Sequence, residues 1–191
     1  MTEYFLDQEF TNLTYDQDAF NLKEFEQCTF RHCDLSACNF IGVTFIDCHF
    51  YDCHFNGAKI NHVALRTVGF YNCQMKEINF SMCDKLIFEI AFTDCILDFS
   101  KFYTLKIKDT VFRNCSLIAV DFMNADLTSV IFDACDLYRS EFEKAIAVKA
   151  NFKTSFNYTI DPQKTKVKNA IFSLNAVKGL LYKHDIIVIG F

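Results

Sequence analysis

The sequence predicts an all-β solenoid with four sides, and three regularities carry that prediction. Phenylalanine recurs at a step of twenty residues, with one step of twenty-two. Cysteine keeps the same step and departs from it at the same place. Within each twenty residues an apolar residue returns every five. A chain that returns to the same point after a fixed interval is typical of a coil that stacks on itself.

The phenylalanine column and the cysteine column run in phase along the chain. The phenylalanines are Phe10, Phe30, Phe50, Phe70, Phe92, Phe112, Phe132 and Phe152. The cysteines are Cys33, Cys53, Cys73, Cys95, Cys115 and Cys135. Two residue types that share one period and one interruption indicate a structural repeat rather than a bias in composition.

Each five-residue unit contains a large apolar residue, here called the central residue. A small or thiol-bearing residue, here called the inner residue, lies two positions before it, as Cys28 does before Phe30. Two inward residues separated by one outward residue follow the alternation of a strand. The two outward residues that come next cannot continue a flat strand, so we expect a turn there and closure after four turns. About seven coils spaced about 4.8 Å apart would make a rod on the order of 34 Å long.

The repeat has one interruption, at residues 81–86, which hold two extra residues between Phe80 and Ile87. Ile87 is expected to resume the central position. A corner bulge is the plainer interpretation, because small insertions in solenoids lie in loops. A contact point for a partner is the alternative, because loops on rigid scaffolds often carry function.

The repeat pattern assigns residues 1–153 to the β-helix and residues 154–191 to a C-terminal segment. Ser173 is predicted to cap a short helix over Leu174–Lys183, with Leu174, Val177, Leu180 and Leu181 on one face. Residues 185–191 are predicted to form a strand. A bare apolar strand is an aggregation hazard, so we expect two tails to pair in a twofold dimer. The alternative is that the strand folds back on its own coil.

Thiolate and imidazole groups are zinc ligands, and both occur in the pairs Cys48-His49 and Cys53-His54. The repeat nevertheless argues against a metal site at these residues. The cysteines occupy inner positions, whereas the histidines that follow them face outward, so they are not expected to converge. The cysteine ladder is interpreted as small buried hydrophobes. We expect no metal and no cofactor.

Composition and charge narrow the classes of function. The 191 residues include ten cysteines and a formal net charge of -5. Without a recognisable export signal, the cysteines are expected to be free thiols in the cytoplasm. No apolar run is long enough to predict a membrane span. Negative net charge disfavours direct nucleic acid binding. No catalytic motif stands out, so we expect no enzyme.

Outward carboxylates form the predicted partner-binding surface. Residues 1–154 carry 22 acidic and 14 basic side chains, whereas the tail has five lysines and two aspartates. A cationic groove would meet such carboxylates as it meets DNA phosphates. Scattered surface acids also serve solubility, which is the plainer interpretation. The candidates are Asp34, Asp47, Asp52, Asp84, Glu89, Asp94, Asp98, Asp126, Asp133 and Asp136.

Several five-residue runs resemble the consensus of the pentapeptide-repeat family, among them Cys38 to Gly42, Cys48 to Asp52 and Ala125 to Ser129. That resemblance implies a right-handed quadrilateral β-helix with a short C-terminal helix and strand. Residues 157–161, 170–174 and 185–190 are similar to the topoisomerase-interacting branch of the family, which contains the Qnr, MfpA and AlbG proteins.

This second resemblance implies a DNA-mimicking homodimer that binds bacterial DNA gyrase and protects it from inhibitors such as quinolones or albicidin-like toxins. The chain lacks the long loops of the Qnr type. The implied dimer seam comprises Leu180, Leu181, Ile186, Ile187, Val188, Ile189 and Phe191. The alternative function is a structural or adaptor rod with a partner other than a topoisomerase. It would depend on outward apolar residues, namely Tyr51, Tyr71, Phe99, Tyr103 and Tyr138.

Overall fold

The computed structural model describes residues 3–36, 38–184, 186–187 and 189. Thirteen strands, all paired in parallel, form two sheets in this part of the chain. Their bounds are β1 (Glu3–Leu6), β2 (Glu9–Thr11), β3 (Lys23–Glu26), β4 (Thr29–Arg31), β5 (Thr44–Ile46), β6 (His49–Tyr51), β7 (Ala64–Arg66), β8 (Val68–Tyr71), β9 (Ile90–Thr93), β10 (Val111–Arg113), β11 (Ile131–Asp133), β12 (Asn151–Phe152) and β13 (Ile171–Phe172).

The strands and the bridges between coils define four faces. Face 1, centred on the column of Phe50, is a nine-stranded sheet in the order β2-β4-β6-β8-β9-β10-β11-β12-β13. Face 4, centred on the column of Leu65, carries the sheet β1-β3-β5-β7. Faces 2 and 3, centred on the columns of Phe55 and Ile60, are joined by single parallel bridges. The predicted four-sided β-helix is therefore confirmed.

Stacked phenylalanine rings fill the core of the coil. Phe50 pairs with Phe70 in the strand register, and their rings stack with centroids 5.2 Å apart and planes 11° apart. Phe70 stacks on Phe92 at 5.2 Å and 13°, so the column continues across the interruption. Between face 1 and face 3 the rings meet edge to face, as Phe92 and Phe102 do at 86°. These are favourable geometries for aromatic pairs, and they leave little empty space.

The second outward residue of each unit makes the turn. Twenty-five non-glycine residues among those described have positive φ, between 51° and 63°. They recur two positions after a central residue, as Asp52 (φ 55°) and Asn72 (φ 52°) do. Asn and Asp tolerate this left-handed conformation better than most residues. The predicted turn is thus a single left-handed residue at each corner.

The inner residues do more than fill space. Cys53 is fully buried, and its thiol donates to the carbonyl of Phe30 at 3.6 Å and to that of Tyr51 at 3.3 Å. Ser100 is the inner residue of a unit on face 3 and donates to the carbonyl of Met75 at 2.8 Å. The interpretation of these cysteines as small hydrophobes missed this role as donors to buried carbonyl groups.

The two extra residues lie on face 4, between Asp84 and Glu89. The amide of Asp84 still donates to Val63 O, one coil below, whereas that of Glu89 donates to Leu65 O. The prediction that Ile87 is a central residue is wrong: its side chain is 47% exposed, and Phe88 packs against the core instead. Glu89 faces outward beside buried Ile90, so strand alternation directs Phe88 inward.

The coil continues beyond residue 153, and a helical segment follows it. Phe172 stacks on Phe152 with ring centroids 5.1 Å apart. Short 3₁₀ helices span Phe80–Met82, Leu174–Leu180 and Tyr182–His184. The predicted cap is confirmed, because the amide of Ala176 donates to Ser173 Oγ. Leu174, which begins this segment, is 88% exposed.

The segment over Leu174–Leu180 packs against the last coil through Ala176 and Leu180. Gly179 permits the close approach, because a Cβ there would collide with the backbone of Tyr158. The amide of Ile160 donates to the carbonyl of Gly179 at 3.1 Å. This segment therefore covers part of the open end of the core. No helix in the described ranges has the length and apolar character needed to cross a membrane.

Candidate partner-binding surface

The ten predicted acidic residues do not share one surface. Four belong to face 4 and its corner with face 1, namely Asp47, Asp84, Glu89 and Asp126. The other six lie on face 1, on face 2 and at the corner between them. We call these six the acidic edge, and they are Asp34, Asp52, Asp94, Asp98, Asp133 and Asp136.

Neutral donors hold the carboxylates of the acidic edge in place. Asn72 Nδ2 donates to Asp52 Oδ1 at 2.6 Å, and Asn114 Nδ2 donates to Asp94 Oδ1 at 2.6 Å. Both amides come from the next coil at the same corner. Hydrogen bonds to an ionised carboxylate are short and strong. An amide donor orients the carboxylate without cancelling its charge.

The same arrangement recurs on face 2. Asp98 Oδ1 accepts from Ser116 Oγ at 2.6 Å and from the amide of Ile118 at 3.1 Å. Asp136 Oδ1 accepts from Asn157 Nδ2 at 2.9 Å and from the amide of Tyr138 at 3.1 Å. In both residues the second oxygen, Oδ2, has no hydrogen-bond partner among the described residues.

Only two carboxylates of the acidic edge have a cationic neighbour within 4.0 Å in the described part of the chain. His32 Nδ1 lies 3.7 Å from Asp52 Oδ2, and Arg113 Nε lies 3.3 Å from Asp133 Oδ2. The hydrogen bond from the Ser36 hydroxyl lowers the pKa of Asp34, so that this group stays ionised. Most of the edge therefore carries uncompensated negative charge.

Of the four remaining acidic residues, Asp84, Glu89 and Asp126 are engaged by neighbours on the side of face 4. Asp126 forms an ion pair with Lys108 Nζ at 3.2 Å. Burial opposes ionisation there, but hydrogen bonds from Thr128 and Lys108 outweigh it, and the pKa of Asp126 is lowered. Asp84 accepts from the amide of Leu86 at 2.9 Å. These residues stabilise corners and ion pairs away from the acidic edge.

Apolar side chains lie between the carboxylates on face 2. Phe99 is 54% exposed, Tyr138 49% and Phe156 46%. Sequence reasoning found Phe99 and Tyr138 as outward residues but missed Phe156. The register through Asp136 and Phe156 puts it at the same outward position as Asp136, one coil later. The surface thus combines charge with contact area that a protein partner would bury.

The structure keeps the Cys48-His49 and Cys53-His54 side chains apart. Both cysteines are buried, whereas His49 is half-buried and His54 is exposed. Burial raises the pKa of the Cys48 thiol to about 12, so the thiolate that zinc would need is disfavoured. In the described part of the chain no group of three or more potential ligands gathers.

The residues of the implied dimer seam divide into three groups. Leu180 packs against the core, and Leu181 is half-buried. Ile186, Ile187 and Ile189 are 55%, 90% and 84% exposed and lie in no strand. Val188 and Phe191 lie outside the described residues, as do Asp185 and Gly190 of the predicted terminal strand.

A comparison with family models agrees with this architecture. The model described as "Pentapeptide repeat region" matches residues 23–86 and residues 85–157. Compared with curated protein sequences, the chain matches none.

Solved structures with the same architecture include two trypsin-treated variants of QnrB1, a plasmid-mediated fluoroquinolone resistance protein. One aligns with a TM-score of 0.63 and 14% identity over 100% of both chains. The other aligns with a TM-score of 0.56 and 17% identity over 97% of this chain and 100% of that one. HetL of Nostoc sp. strain PCC 7120 aligns with a TM-score of 0.36 and 13% identity over 90% of this chain and 87% of its own. At these identities the likeness concerns the fold alone.

Proposed function

Since this chain belongs to the pentapeptide repeat family, we propose that it is a non-enzymatic binding protein whose acidic edge enters the DNA-binding groove of bacterial DNA gyrase. One observation carries the proposal. Along one corner of a rigid rod, carboxylates are fixed by neutral donors and remain charged. A cationic groove shaped for a phosphate backbone is complementary to such a row.

The charge density sets the expected strength of binding. Asp34 and Asp136 are five coil steps apart, or about 24 Å, so the six carboxylates average roughly one per 5 Å. Duplex DNA carries about one charge per 1.7 Å. The acidic edge therefore mimics only part of the charge of DNA. Contacts from Phe99 and Tyr138 would supplement it, because buried aromatic groups often dominate binding energy.

Protection from an inhibitor is the second part of the proposal. The fold likeness to a fluoroquinolone resistance protein and the resemblance of the tail to the topoisomerase-interacting branch support it. A rod that occupies the DNA groove competes with the DNA on which a gyrase poison acts. We propose that quinolones or albicidin-like toxins are the inhibitors concerned.

The test is a gyrase supercoiling assay with and without a poison, together with direct binding. The variant carries Asp94→Asn, Asp98→Asn and Asp136→Asn. Asparagine keeps the Oδ1 acceptor that each aspartate uses, so only charge is removed. Exposed charge pairs are worth about 0.2–1 kcal/mol each, so binding should weaken roughly tenfold.

A matched control removes three charges elsewhere. It carries Asp7→Asn, Glu24→Gln and Asp109→Asn, all on face 4 or its corner. Within the described ranges no side-chain hydrogen bond or ion pair involves these groups. Binding should stay within twofold of the parent protein. Equal losses in both variants would show a general charge effect, and no gyrase binding by the parent protein at micromolar concentration would overturn the proposal.

The exposure of Phe99, Tyr138 and Phe156 favours a second candidate, an adaptor rod with a partner other than a topoisomerase. If Phe99→Ser and Tyr138→Ser abolish the cellular phenotype while the triple asparagine variant retains it, the adaptor function is favoured. The reverse pattern favours the acidic edge.

Dimerisation through the tail is part of the proposed function. Exposed Ile186, Ile187 and Ile189 support it, because adjacent apolar residues of this kind are commonly covered by a partner. Sedimentation equilibrium should give a dimer for the parent protein and a monomer for Ile187→Asp. A monomeric parent protein at micromolar concentration would refute this part alone.

A further inference from the structure

A hollow of about 220 Å³ opens at the corner of faces 4 and 1, next to the register shift. Gly69 of β8 and Ala91 of β9 pair in adjacent coils and both line it. Tyr71, His49, Thr67 and Glu89 complete its lining. Glu89 is the first residue after the insertion. The interruption that the sequence revealed therefore contributes a wall of this hollow.

Small outward residues create the hollow. A Cβ on Gly69 would lie 2.8 Å from Tyr71 Cε2 and 2.9 Å from Tyr71 Oη, so a larger residue would displace the tyrosine ring. At the same outward position the next coils carry Ala91, Val111 and Ile131. The surface drops at Gly69 and Ala91 and rises again beyond them.

The carboxylate of Glu89 offers the hollow a hydrogen-bond acceptor. Glu89 Oε2 accepts from Thr67 Oγ1 at 3.2 Å, and Glu89 Oε1 has no partner in the described part of the chain. His49 Nδ1 is buried and likewise lacks a partner among the described residues. The electron-rich ring of Tyr71 adds an attraction for cations. A carboxylate and an aromatic ring together favour a cationic donor.

The molecule already contains an example of this recognition on face 1. Arg31 Cζ lies 4.2 Å from the ring centroid of Tyr51, and Arg31 Nε lies 3.5 Å from Glu9 Oε1. Tyr51 in turn stacks on Tyr71, with centroids 4.7 Å apart and planes 12° apart. An arginine therefore covers one end of the two-tyrosine stack and pairs with a carboxylate.

The other end of the stack has the same chemistry without the arginine. Among the described residues, Tyr71 has no aromatic or cationic partner on the side away from Tyr51; its strand partner there is Thr93. Glu89 supplies the carboxylate that Glu9 supplies at the first end. A planar guanidinium stacks on a tyrosine and also donates two parallel hydrogen bonds to a carboxylate, which an ammonium group does not do.

We propose that this hollow is a socket for the guanidinium group of an arginine on a protein partner. The arginine stacks on the face of Tyr71 away from Tyr51, donates to Glu89 and lies over Ala91. The assignment of the partner rests on the proposed function, since an arginine that lines a DNA-binding groove is such a group. The chemistry of the socket does not depend on it.

The first test measures the socket without a partner. NMR spectra of the full chain are recorded against N-acetyl-L-arginine amide, methylguanidinium chloride and N-acetyl-L-lysine amide. Both guanidinium probes should give saturable shifts at Gly69, Tyr71 and Ala91, with at least fivefold weaker binding for the lysine probe. Glu89→Gln should weaken arginine binding at least fivefold. Equal affinity for lysine, or no saturable shift, would overturn the inference.

A variant that fills the socket, compared with a matched control, shows whether probe binding is specific to this site. Ala91→Phe places a ring in the hollow and should abolish probe binding. Ile131→Phe places the same ring at the equivalent outward position two coils away and should leave probe binding unchanged. Loss of probe binding in both variants would show a general effect of the added ring and would count against the socket.

The second test asks whether gyrase supplies the arginine that binds in the socket. Ala91→Phe should weaken gyrase binding at least fivefold while Ile131→Phe does not. If the arginine probe binds but gyrase binding is indifferent to Ala91→Phe, the assignment to this partner is overturned. If the probe fails while the acidic edge still governs gyrase binding, the socket fails and the proposed function stands. The two proposals therefore fail separately.

Discussion

At the inner position the coils before the register shift use thiols as donors, whereas those after it use both thiols and hydroxyls. Seven of the ten cysteines lie at or before Cys83, and their thiols donate to carbonyl groups of the coil below, as Cys73 does to Phe50 O at 3.5 Å. After the shift serine and threonine enter, and Ser155 donates to Phe132 O at 2.9 Å. The hydroxyl bonds are shorter than the thiol bonds at an equivalent place.

The hydroxyls also accept hydrogen bonds from backbone amides, and within the described ranges no amide donates to a cysteine thiol in this way. Ser100 Oγ accepts from the amide of Ile78 at 3.1 Å, and Ser155 Oγ accepts from the amide of Cys135 at 3.2 Å. Each such serine links two backbone groups of the coil below. The second half therefore depends on hydrogen bonds at the inner position where the first half depends more on the volume of sulfur.

The largest expected effect comes from Phe92→Ala, because this ring joins the two halves. Phe92 stacks on Phe70 before the shift and on Phe112 after it, both with centroids 5.2 Å apart. Loss of a buried phenylalanine costs about 3–5 kcal/mol. Since each coil contacts only its neighbours, urea unfolding should separate into two transitions. Phe92→Leu, the control, should lose less and keep one transition; a single unshifted transition for Phe92→Ala would contradict the coupling.

Ser100→Ala should have the next largest effect. It leaves the carbonyl of Met75 and the amide of Ile78 without their partner in a buried site. Unpaired buried groups cost about 1–3 kcal/mol, so the free energy of unfolding should fall by about 2 kcal/mol. Ser100→Cys restores the donor used in the first half and should recover part of the loss. If alanine and cysteine are equally destabilising, the donor role at this position is refuted.

Cys73→Ala should cost about 1 kcal/mol, because it removes one heavy atom from the core and only a weak donor. Chemical denaturation followed by circular dichroism measures the change. Cys73→Ser serves as the control that keeps a donor. A loss as large as that of Ser100→Ala would remove the distinction between the two halves.

The smallest effect concerns alkaline pH and Cys48. Burial raises the pKa of this thiol to about 12, so it stays protonated in the folded protein while the unfolded thiol ionises near its ordinary value. The stabilisation is complete below that ordinary pKa and is lost as the pH rises toward about 12. Cys48→Ala should remove about 0.8 kcal/mol of the fall in stability between pH 7 and pH 9. An unchanged pH dependence would contradict this assignment.

Some features could be predicted because they repeat within a single coil. The alternation around Phe50 and Cys48 shows which residues face inward, and Ser173 satisfies a local capping rule. The position of the inserted residues could not be predicted this way. Ile87 and Phe88 are both apolar, and only the hydrogen bonds of Asp84 and Glu89 with the coil below determine which one packs inside.

The sequence predicted which acidic residues face outward, but it did not predict which of them lie together or which partners they contact. The outward acidic residues were found individually, yet the sequence does not show that Asp94 meets the amide of Asn114 while Asp126 meets Lys108. These partners lie a whole coil away, so their contacts depend on the stacking register and on the corner conformation. The hollow above Gly69 likewise needs two adjacent coils.

By itself the sequence determined the four-sided cross-section, the aromatic column and the buried thiols, because each follows from alternation and period within twenty residues. The tertiary structure alone decided which carboxylates form one edge, where the extra residues lie and that Glu89 and Tyr71 line one hollow. The physical reason is distance along the chain. Local alternation directs a side chain inward or outward, but stacking chooses its neighbour.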